Sequence, residues 1–125
     1  MIQKAEQTGV YDHLAVDDVC SHLNRCPRRF DLLVAGDVLI YMGDLDGVFK
    51  SVKSCCKSGG VFVFSVEERG TSGYVLRTTA RFAHSRRYVL SCIEKSGMTI
   101  LRRPSVRIRR EKQGWAGGRL YMVTQ

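Results

Sequence analysis

Carboxylates follow two apolar stretches of the sequence, at the points where each stretch stops. Asp37 comes shortly after the run at residues 32–34, and Glu67 and Glu68 come after the run at residues 61–66. An apolar run that ends abruptly is typical of a strand buried on both faces of a parallel sheet. Ligands bind at the carboxyl edge of such sheets. Because carboxylates attract positive charge, the pattern predicts a site there for a positively charged ligand group.

Another pair of carboxylates, Asp17 and Asp18, ends the segment at residues 11–18, for which we predict a brief strand. A short helix is expected to begin at Val19, so Asp18 is also suited to cap that helix. The sequence leaves both roles open for Asp18, contact with a ligand and capping of a helix.

His84 and Ser85 have the side chains of catalytic residues, but no acid stands at a spacing that would complete a nucleophile triad. We interpret His84 as a loop histidine near a substrate entrance, acting as a base or an orienting group, or as a residue at the start of a helix. Tyr41, Tyr74 and Tyr88 either line a pocket or belong to the core.

The cysteines indicate neither a metal site nor a disulfide scaffold. Cys20, His22 and Cys26 match no standard zinc spacing, so no metal is predicted. The chain has five cysteines, an odd number that includes the adjacent pair Cys55 and Cys56. Their spacing favours reduced thiols in a reducing compartment. With no apolar run long enough to cross a membrane, a soluble cytoplasmic protein is expected.

The elements that would position these residues form a βαβ unit. The apolar residues of the central segment are spaced as one stripe of an amphipathic helix, and they are Leu45, Val48, Phe49, Val52, Cys55 and Cys56. Asp44 is the predicted N-cap of this helix, and residues 58–60 are its predicted stop. A strand, a helix and a strand in so few residues predict a right-handed crossover and a parallel pair of strands.

The rest of the chain supplies flanking elements. Helices are predicted over residues 1–7 and 19–23, and a third begins at Ser85 and ends at Gly97. Residues 69–84 form a long polar connection, interpreted as a lid or a substrate loop. The last two strands, around residues 106–110 and 118–123, are predicted to form an antiparallel hairpin.

Charge is distributed unevenly along the 125 residues, which are enough for one domain around one core. The net charge is +8, yet residues 1–68 hold seven bases against ten acids, whereas residues 69–125 hold thirteen against two. We interpret Arg107, Arg109 and Arg110 as a solvated strand face. Nucleic acid is not a predicted partner, because no stacking aromatics accompany these arginines.

Several segments, taken in order and spacing, carry a resemblance to a known family. They are residues 1–5, 11–14, FDLLVAGDVLIYMGDL at 30–45, GGVFVFSVE at 59–67, GYVL at 73–76, RFAHS at 81–85 and GGRL at 117–120. The sequence resembles the carboxyl-terminal two thirds of class I S-adenosylmethionine-dependent methyltransferases, in particular the predicted methyltransferases attached to tetratricopeptide repeats. The resemblance implies an α/β fold, a partial Rossmann-like sheet with a parallel βαβ core and a carboxyl-terminal antiparallel hairpin.

The resemblance also implies a cofactor site. In the family, an acid matching Asp18 accepts from the adenine amine, and the backbone at Val19 lies against the ring. Ala35, Gly36 and Asp37 match the end of the strand that faces S-adenosylmethionine. Tyr41, Tyr74 and His84 are the candidate substrate residues, with His84 the candidate catalytic residue.

The family has a first strand, a Gly-rich turn and a second strand that have no match among these residues. Residues 1–125 are therefore interpreted as a single truncated methyltransferase-like domain, whose sheet lacks its first strands and has an unpaired edge. The hypothesis is an S-adenosylmethionine-dependent methyltransferase that is weak or inactive as this chain, with an acceptor that the sequence does not identify. The alternative is a non-catalytic interaction module that pairs with itself or with a partner chain at the open edge.

Overall fold

The computed structural model describes all residues from 1 to 125. In chain order its elements are α1 (Ile2–Thr8), α2 (Val19–Arg25), β1 (Phe30–Ala35), a short 3₁₀ helix (Leu39–Tyr41), α3 (Asp46–Cys55), β2 (Cys56–Arg69), β3 (Tyr74–Leu76), β4 (Phe82–Ser85), α4 (Arg86–Ser96), β5 (Thr99–Arg102), β6 (Ser105–Glu111) and β7 (Gly114–Thr124). None of the helices is both long and apolar enough to cross a membrane.

All seven strands belong to one mixed sheet with β2 at its centre. β2 pairs in parallel with β1 through Val61–Phe64 and with β4 through Glu67–Arg69, and it pairs antiparallel with β7. β3 adds to β4, while β5 and β6 add to β7, all antiparallel. The predicted α/β fold, with its parallel βαβ core and carboxyl-terminal hairpin, is confirmed.

The core lies between the sheet and helices α3 and α4. Every residue of the predicted α3 stripe is buried, and Phe49 from that stripe meets Phe64 edge to face, with ring centres 5.3 Å apart. Phe64 also stacks on Phe62 at 4.9 Å and on Tyr121 of β7 at 5.1 Å. These aromatic contacts join helix, parallel strand and antiparallel strand into one apolar cluster.

Several predicted helix ends are confirmed, but the stop predicted for α3 at residues 58–60 is wrong, because α3 ends at Cys55 and those residues lie within β2. Ser85 caps α4 by accepting from the N–H of Tyr88, and Gly97 ends the helix with a left-handed φ of 75°. The predicted capping of α3 is wrong, because its N-cap is Leu45 and no side chain caps it. Asp44 accepts instead from the N–H of Asp46, at 2.9 Å, in the turn that precedes the helix.

Two predictions about connecting segments are also wrong. Residues 11–18 contain no strand, because an extended segment becomes a strand only when a neighbouring strand pairs with its backbone. The connection at residues 69–84 is not an open loop, since it contains β3 and most of β4. β4 was missed because it is short and polar, and its pairing with the end of β2 leaves no sequence pattern.

β1 is buried on one face only, whereas its sequence predicted a strand buried on both. Leu33 packs against the core, but Leu32 is 57% exposed and Val34 is 67% exposed. The two exposed side chains align with Val61 and Val63 of β2, on the face of the sheet opposite the helices. β1 pairs with β2 along one edge and leaves its other edge open.

Gly118 of β7 lies so close to β2 and β6 that it determines how the β6–β7 hairpin packs over the end of β2. A Cβ atom at Gly118 would lie 2.1 Å from the Ile108 side chain and 2.3 Å from the backbone oxygen of Val66. Gly118→Ala should therefore push β7 away from β2 and lower the free energy of unfolding by about 2 kcal/mol. Urea denaturation followed by circular dichroism measures the change.

The adjacent glycine provides the control for this prediction. A Cβ atom at Gly117 would meet nothing within 4 Å. Gly117→Ala should leave the free energy of unfolding within about 0.5 kcal/mol of the parent value. Equal effects of the two substitutions would contradict the close approach at Gly118.

Candidate functional site

The carboxyl end of β1 is held in an unusual backbone conformation. The strand ends at Ala35, and Asp37 in the turn that follows has a φ of 54°. Left-handed backbone costs a non-glycine residue roughly 1–2 kcal/mol, and aspartate tolerates it better than most. The Asp37 N–H donates to the Ser65 hydroxyl oxygen of β2 at 2.9 Å. This bond fixes the turn, and a Cβ atom added at the neighbouring Gly36 would meet nothing within 4 Å.

An arginine from the distant β6 reaches the Asp37 carboxylate. Arg109 Nη1 donates to Asp37 Oδ1 at 2.6 Å, and Arg109 Nη2 donates to Glu67 Oε1. Its Nε lies 3.4 Å from a carboxylate oxygen of Glu111. The side chain of Arg109 is 15% exposed and that of Glu67 is 2% exposed. The interpretation of Arg109 as a solvated surface arginine is therefore wrong.

A strand irregularity explains why Arg109 was misplaced. In a regular strand Arg107 and Arg109 share a face, but the pairing of β6 with β7 shifts register between them. Arg107 consequently lies outside, over the ring of Trp115, while Arg109 turns toward the end of β2. Arg110 is exposed, as predicted.

The cluster around Arg109 retains a surplus of negative charge. Asp37, Glu67 and Glu111 face one guanidinium, and Arg81 adds a second positive charge 3.6 Å from Glu111. Oxygen Oε2 of Glu67 is buried without a hydrogen-bond partner. The carboxyl end of β1 and β2 is thus electrostatically suited to a ligand with a positive charge or with hydrogen-bond donors.

Glu68, next along β2, points to the opposite face. Burial acts to raise the pKa of Glu68, but hydrogen bonds and charge from Arg119 and Arg86 outweigh it and lower the pKa overall. Glu68 is therefore ionised, and both of its carboxylate oxygens accept hydrogen bonds from arginines. Glu67 and Glu68 therefore lie in different environments, because successive side chains of a strand alternate in direction.

Asp18 lies apart from this cluster, at the start of α2. Its carboxylate accepts from the Ser21 N–H at 2.9 Å, and this hydrogen bond lowers the pKa of Asp18. The predicted capping role is confirmed. Asp18 and Val19 make no hydrogen bond or ion pair with the residues at the end of β1, so the structure does not join the two halves of the predicted cofactor site through direct contacts.

His84 is a buried strand residue, not the loop histidine that was predicted. Its Nε2 lies 2.9 Å from the Met42 carbonyl oxygen and 3.0 Å from that of Gly43, so it must donate to both. Burial lowers the pKa of His84, against the opposing effect of those two hydrogen bonds. Its other nitrogen, Nδ1, is buried and unpartnered. A neutral His84 therefore fastens the segment after the 3₁₀ helix to β4.

The candidate substrate tyrosines occupy different surroundings. Tyr41 is 66% exposed at the end of the 3₁₀ helix. Tyr74 is partly exposed and packs its ring against those of Phe82, His84 and Tyr88, with centres 5.2–6.0 Å away. Tyr88 is half-buried against the core, and its hydroxyl accepts from the Leu45 N–H. Burial raises the pKa of Tyr88.

Arg109 should stabilise the fold, because it offsets the buried charge of Glu67. We expect Arg109→Ala to lower the free energy of unfolding by about 3 kcal/mol, since it leaves a buried carboxylate without its partner. Urea denaturation at neutral pH measures this. Glu67→Gln added to Arg109→Ala should recover part of the loss, because the uncompensated charge is then gone.

Arg110→Ala is the matched control, because it removes the same side chain from an exposed neighbouring position. Its effect should stay within about 0.5 kcal/mol. If Arg109→Ala were no more destabilising than Arg110→Ala, Arg109 would not be part of a buried ion pair.

Comparison of the sequence with known proteins finds no family model and no curated protein that matches. The structure, by contrast, is similar to many solved methyltransferases. The N-methyltransferase NodS from Bradyrhizobium japonicum WM9, in complex with S-adenosyl-L-homocysteine, superposes with a TM-score of 0.71 at 19% identity, over 99% of this chain and 61% of NodS.

Two further structures show the same likeness. A putative S-adenosylmethionine-dependent methyltransferase from Listeria monocytogenes gives a TM-score of 0.73 at 15% identity, over 100% of this chain and 75% of that protein. An O-methyltransferase of a Brevibacillus brevis polyketide synthase, in complex with S-adenosyl-L-homocysteine, gives a TM-score of 0.74 at 12% identity, over 99% of this chain and 53% of that protein. The chain spans less than two thirds of NodS and little more than half of the O-methyltransferase. Its fold is that of the S-adenosylmethionine-dependent class I methyltransferases.

Proposed function

We propose that the chain contributes the carboxyl-terminal part of an S-adenosylmethionine-dependent methyltransferase domain, with the end of β1 facing the cofactor. The observation that carries the proposal is the negatively charged end of β1 and β2, around Asp37 and Glu67, in a fold whose solved examples include complexes with S-adenosyl-L-homocysteine. The sulfonium of S-adenosylmethionine is positively charged, and this edge of the sheet is complementary to it.

Specific residues would contact the cofactor at two places. At the end of β1, the open space beside Gly36 lets a ligand approach the backbone of Ala35 and Gly36 closely. At the start of α2, one carboxylate oxygen of Asp18 is used in the cap, which leaves the other to accept from the adenine amine. The backbone of Val19 would then lie against the adenine ring.

Methyl transfer requires little chemistry from the protein. The acceptor atom attacks the methyl carbon as the bond from sulfur to that carbon breaks, and the protein contributes mainly proximity and in-line orientation. His84 fits a positioning role, because its nitrogen atoms are buried and it holds Met42 and Gly43 in place. Tyr41, exposed beyond the end of β1, and Tyr74 are the candidate contacts on the acceptor side.

We further propose that residues 1–125 by themselves bind S-adenosylmethionine weakly. No strand in the structure is followed by a Gly-rich turn that opens a helix. Gly59 and Gly60 lie within β2, and α4 follows β4 directly. The site at the end of β1 therefore lacks donors of the kind that hold a nucleotide-like ligand in a Rossmann-like fold.

The cysteines support a reducing compartment such as the cytoplasm for this protein. All five are free, and Cys55, Cys56 and Cys92 are buried. Burial raises the pKa of Cys92 to about 11, so its thiol stays protonated and unreactive.

Titration with S-adenosylmethionine and with S-adenosyl-L-homocysteine, followed by amide NMR shifts, tests the proposed cofactor edge. Both ligands should shift the amides of Gly36 and Val19 in fast exchange. Asp37→Asn should weaken binding of S-adenosylmethionine about fivefold, the effect of about 1 kcal/mol from one solvated charge. It should affect S-adenosyl-L-homocysteine less, because that ligand has no sulfonium charge.

Asp31→Asn is the control, since Asp31 is an exposed carboxylate at the opposite end of β1. It should leave both affinities unchanged. Absence of shifts at Gly36 and Val19 would reject the cofactor edge. Micromolar affinity for S-adenosylmethionine would show instead that the proposal of weak binding is wrong.

A second candidate function is favoured by the open edge of β1. Leu32 and Val34 on that edge strand are exposed, and Val61 and Val63 extend the apolar surface onto β2. Exposed edge strands with apolar side chains favour pairing with another strand. We propose that a second copy of the chain pairs with this edge, so that two β1 strands meet.

Size-exclusion chromatography with light scattering tests the pairing of two copies. The parent chain should form a concentration-dependent dimer, and Val34→Lys should give a monomer, because a lysine on an edge strand opposes pairing. Val75→Lys is the control, on β3 at a different edge of the sheet, and it should leave the dimer intact. A parent chain that is monomeric at every concentration would rule this candidate out.

A further inference from the structure

A wide groove opens on the face of the sheet opposite the Asp37 cluster. It has a volume of about 1260 Å³ and lies between the loop after β2, the first turns of α4 and the β6–β7 hairpin. Glu68, which points away from Glu67, forms part of its floor. The groove is therefore separate from the proposed cofactor edge, and its ligand is independent of the proposed methyl transfer.

Arginines dominate the charged side chains of this groove. Arg69, Arg77, Arg86 and Arg87 line it together with only two acids, Glu68 and Glu94. The first of these acids is already engaged, because Arg86 and Arg119 hold it.

Three of the arginines have no acidic partner. Arg69 and Arg87 make no ion pair, and Arg77 donates to a backbone carbonyl oxygen instead of a carboxylate. Arg86 and Arg87 begin α4, whose first turn contains no acidic residue, so only Arg86 has an acidic partner, Glu68 from β2. Positive side chains are unfavourable at that end of a helix. The positive charge of the groove is thus poorly compensated within the protein, and a bound anion would relieve it.

The remaining lining residues narrow the class of anion. Hydroxyl groups are supplied by Thr71, Ser72, Ser91 and Ser105, and no aromatic residue lines the groove. Guanidinium and hydroxyl donors together suit phosphate oxygens. Sequence-tolerant binding of single-stranded nucleic acid relies on aromatic rings that stack on bases, so this lining favours a small phosphate compound over RNA.

We propose that this groove binds a small ligand carrying two or more phosphate groups. Arg69 and Arg87 contribute the uncompensated charge, and the neighbouring hydroxyl groups donate to phosphate oxygens. The site needs neither S-adenosylmethionine nor a methyl acceptor.

Isothermal titration with inorganic tripolyphosphate at about 0.15 M salt tests the proposal, because charges farther apart than about 8 Å are largely screened under that condition. The parent chain should bind tripolyphosphate more tightly than it binds inorganic phosphate. The double variant Arg69→Gln with Arg87→Gln should lose about tenfold in affinity, as expected for the loss of charge-assisted hydrogen bonds. Because Arg69 is partly buried, Arg87→Gln alone serves as a second variant that keeps the loop intact.

The double variant Arg28→Gln with Arg29→Gln is the matched control. It also removes two arginine charges, but from the exposed segment before β1, which does not line the groove. It should change the affinity less than about twofold at this salt concentration. Equal losses in the two double variants would mean that tripolyphosphate responds only to net charge, which would overturn the proposal, as would no binding by the parent chain. Tighter binding of a single-stranded RNA than of tripolyphosphate would also overturn the proposal, because it would show that the groove binds nucleic acid and not a small phosphate compound.

Discussion

β2 pairs with other strands along both of its edges, and the rest of the fold is arranged around those pairings. Parallel pairing with β1 and β4 brings three carboxyl ends to one edge of the sheet. Because side chains alternate along a strand, Phe62 and Phe64 face the helices, while Ser65 and Glu67 face the other way. One strand thereby supplies the core on one face and the support for Asp37 on the other.

The β6–β7 hairpin completes the charged edge. A group of carboxylates cannot be buried without positive charge beside it, because desolvation of each ion costs several kcal/mol. Arg109 supplies that charge to Asp37 and Glu67 from a strand far along the sequence. The two guanidinium groups of Arg81 and Arg109 do not neutralise three carboxylates, so the edge keeps its negative character while the hairpin is anchored to β2. The same contacts that stabilise the hairpin therefore set the electrostatics of the proposed cofactor site.

The end of β2 separates two surfaces of opposite charge. Glu67 belongs to the negative edge proposed for the sulfonium of S-adenosylmethionine, and Glu68 belongs to the arginine-lined groove on the other face. The fold is shared with solved methyltransferases at low sequence identity. Such a division depends on individual side chains rather than on the fold, so it is a property of this chain.

The sequence by itself determined the features that depend on near neighbours in the chain, namely the buried faces of helices and the helix ends. The stripe from Leu45 to Cys56 predicts α3 because apolar spacing alone sets which face of a helix is buried. Asp18 and Gly97 mark helix ends because capping involves only near neighbours. Only the tertiary structure decided where Arg109 and His84 lie. The partners of Arg109 are 42 and 72 residues away, and a register shift in β6 redirects its side chain. His84 is buried because β4 adds to the end of β2, a long-range pairing that leaves no periodic pattern in so short a strand.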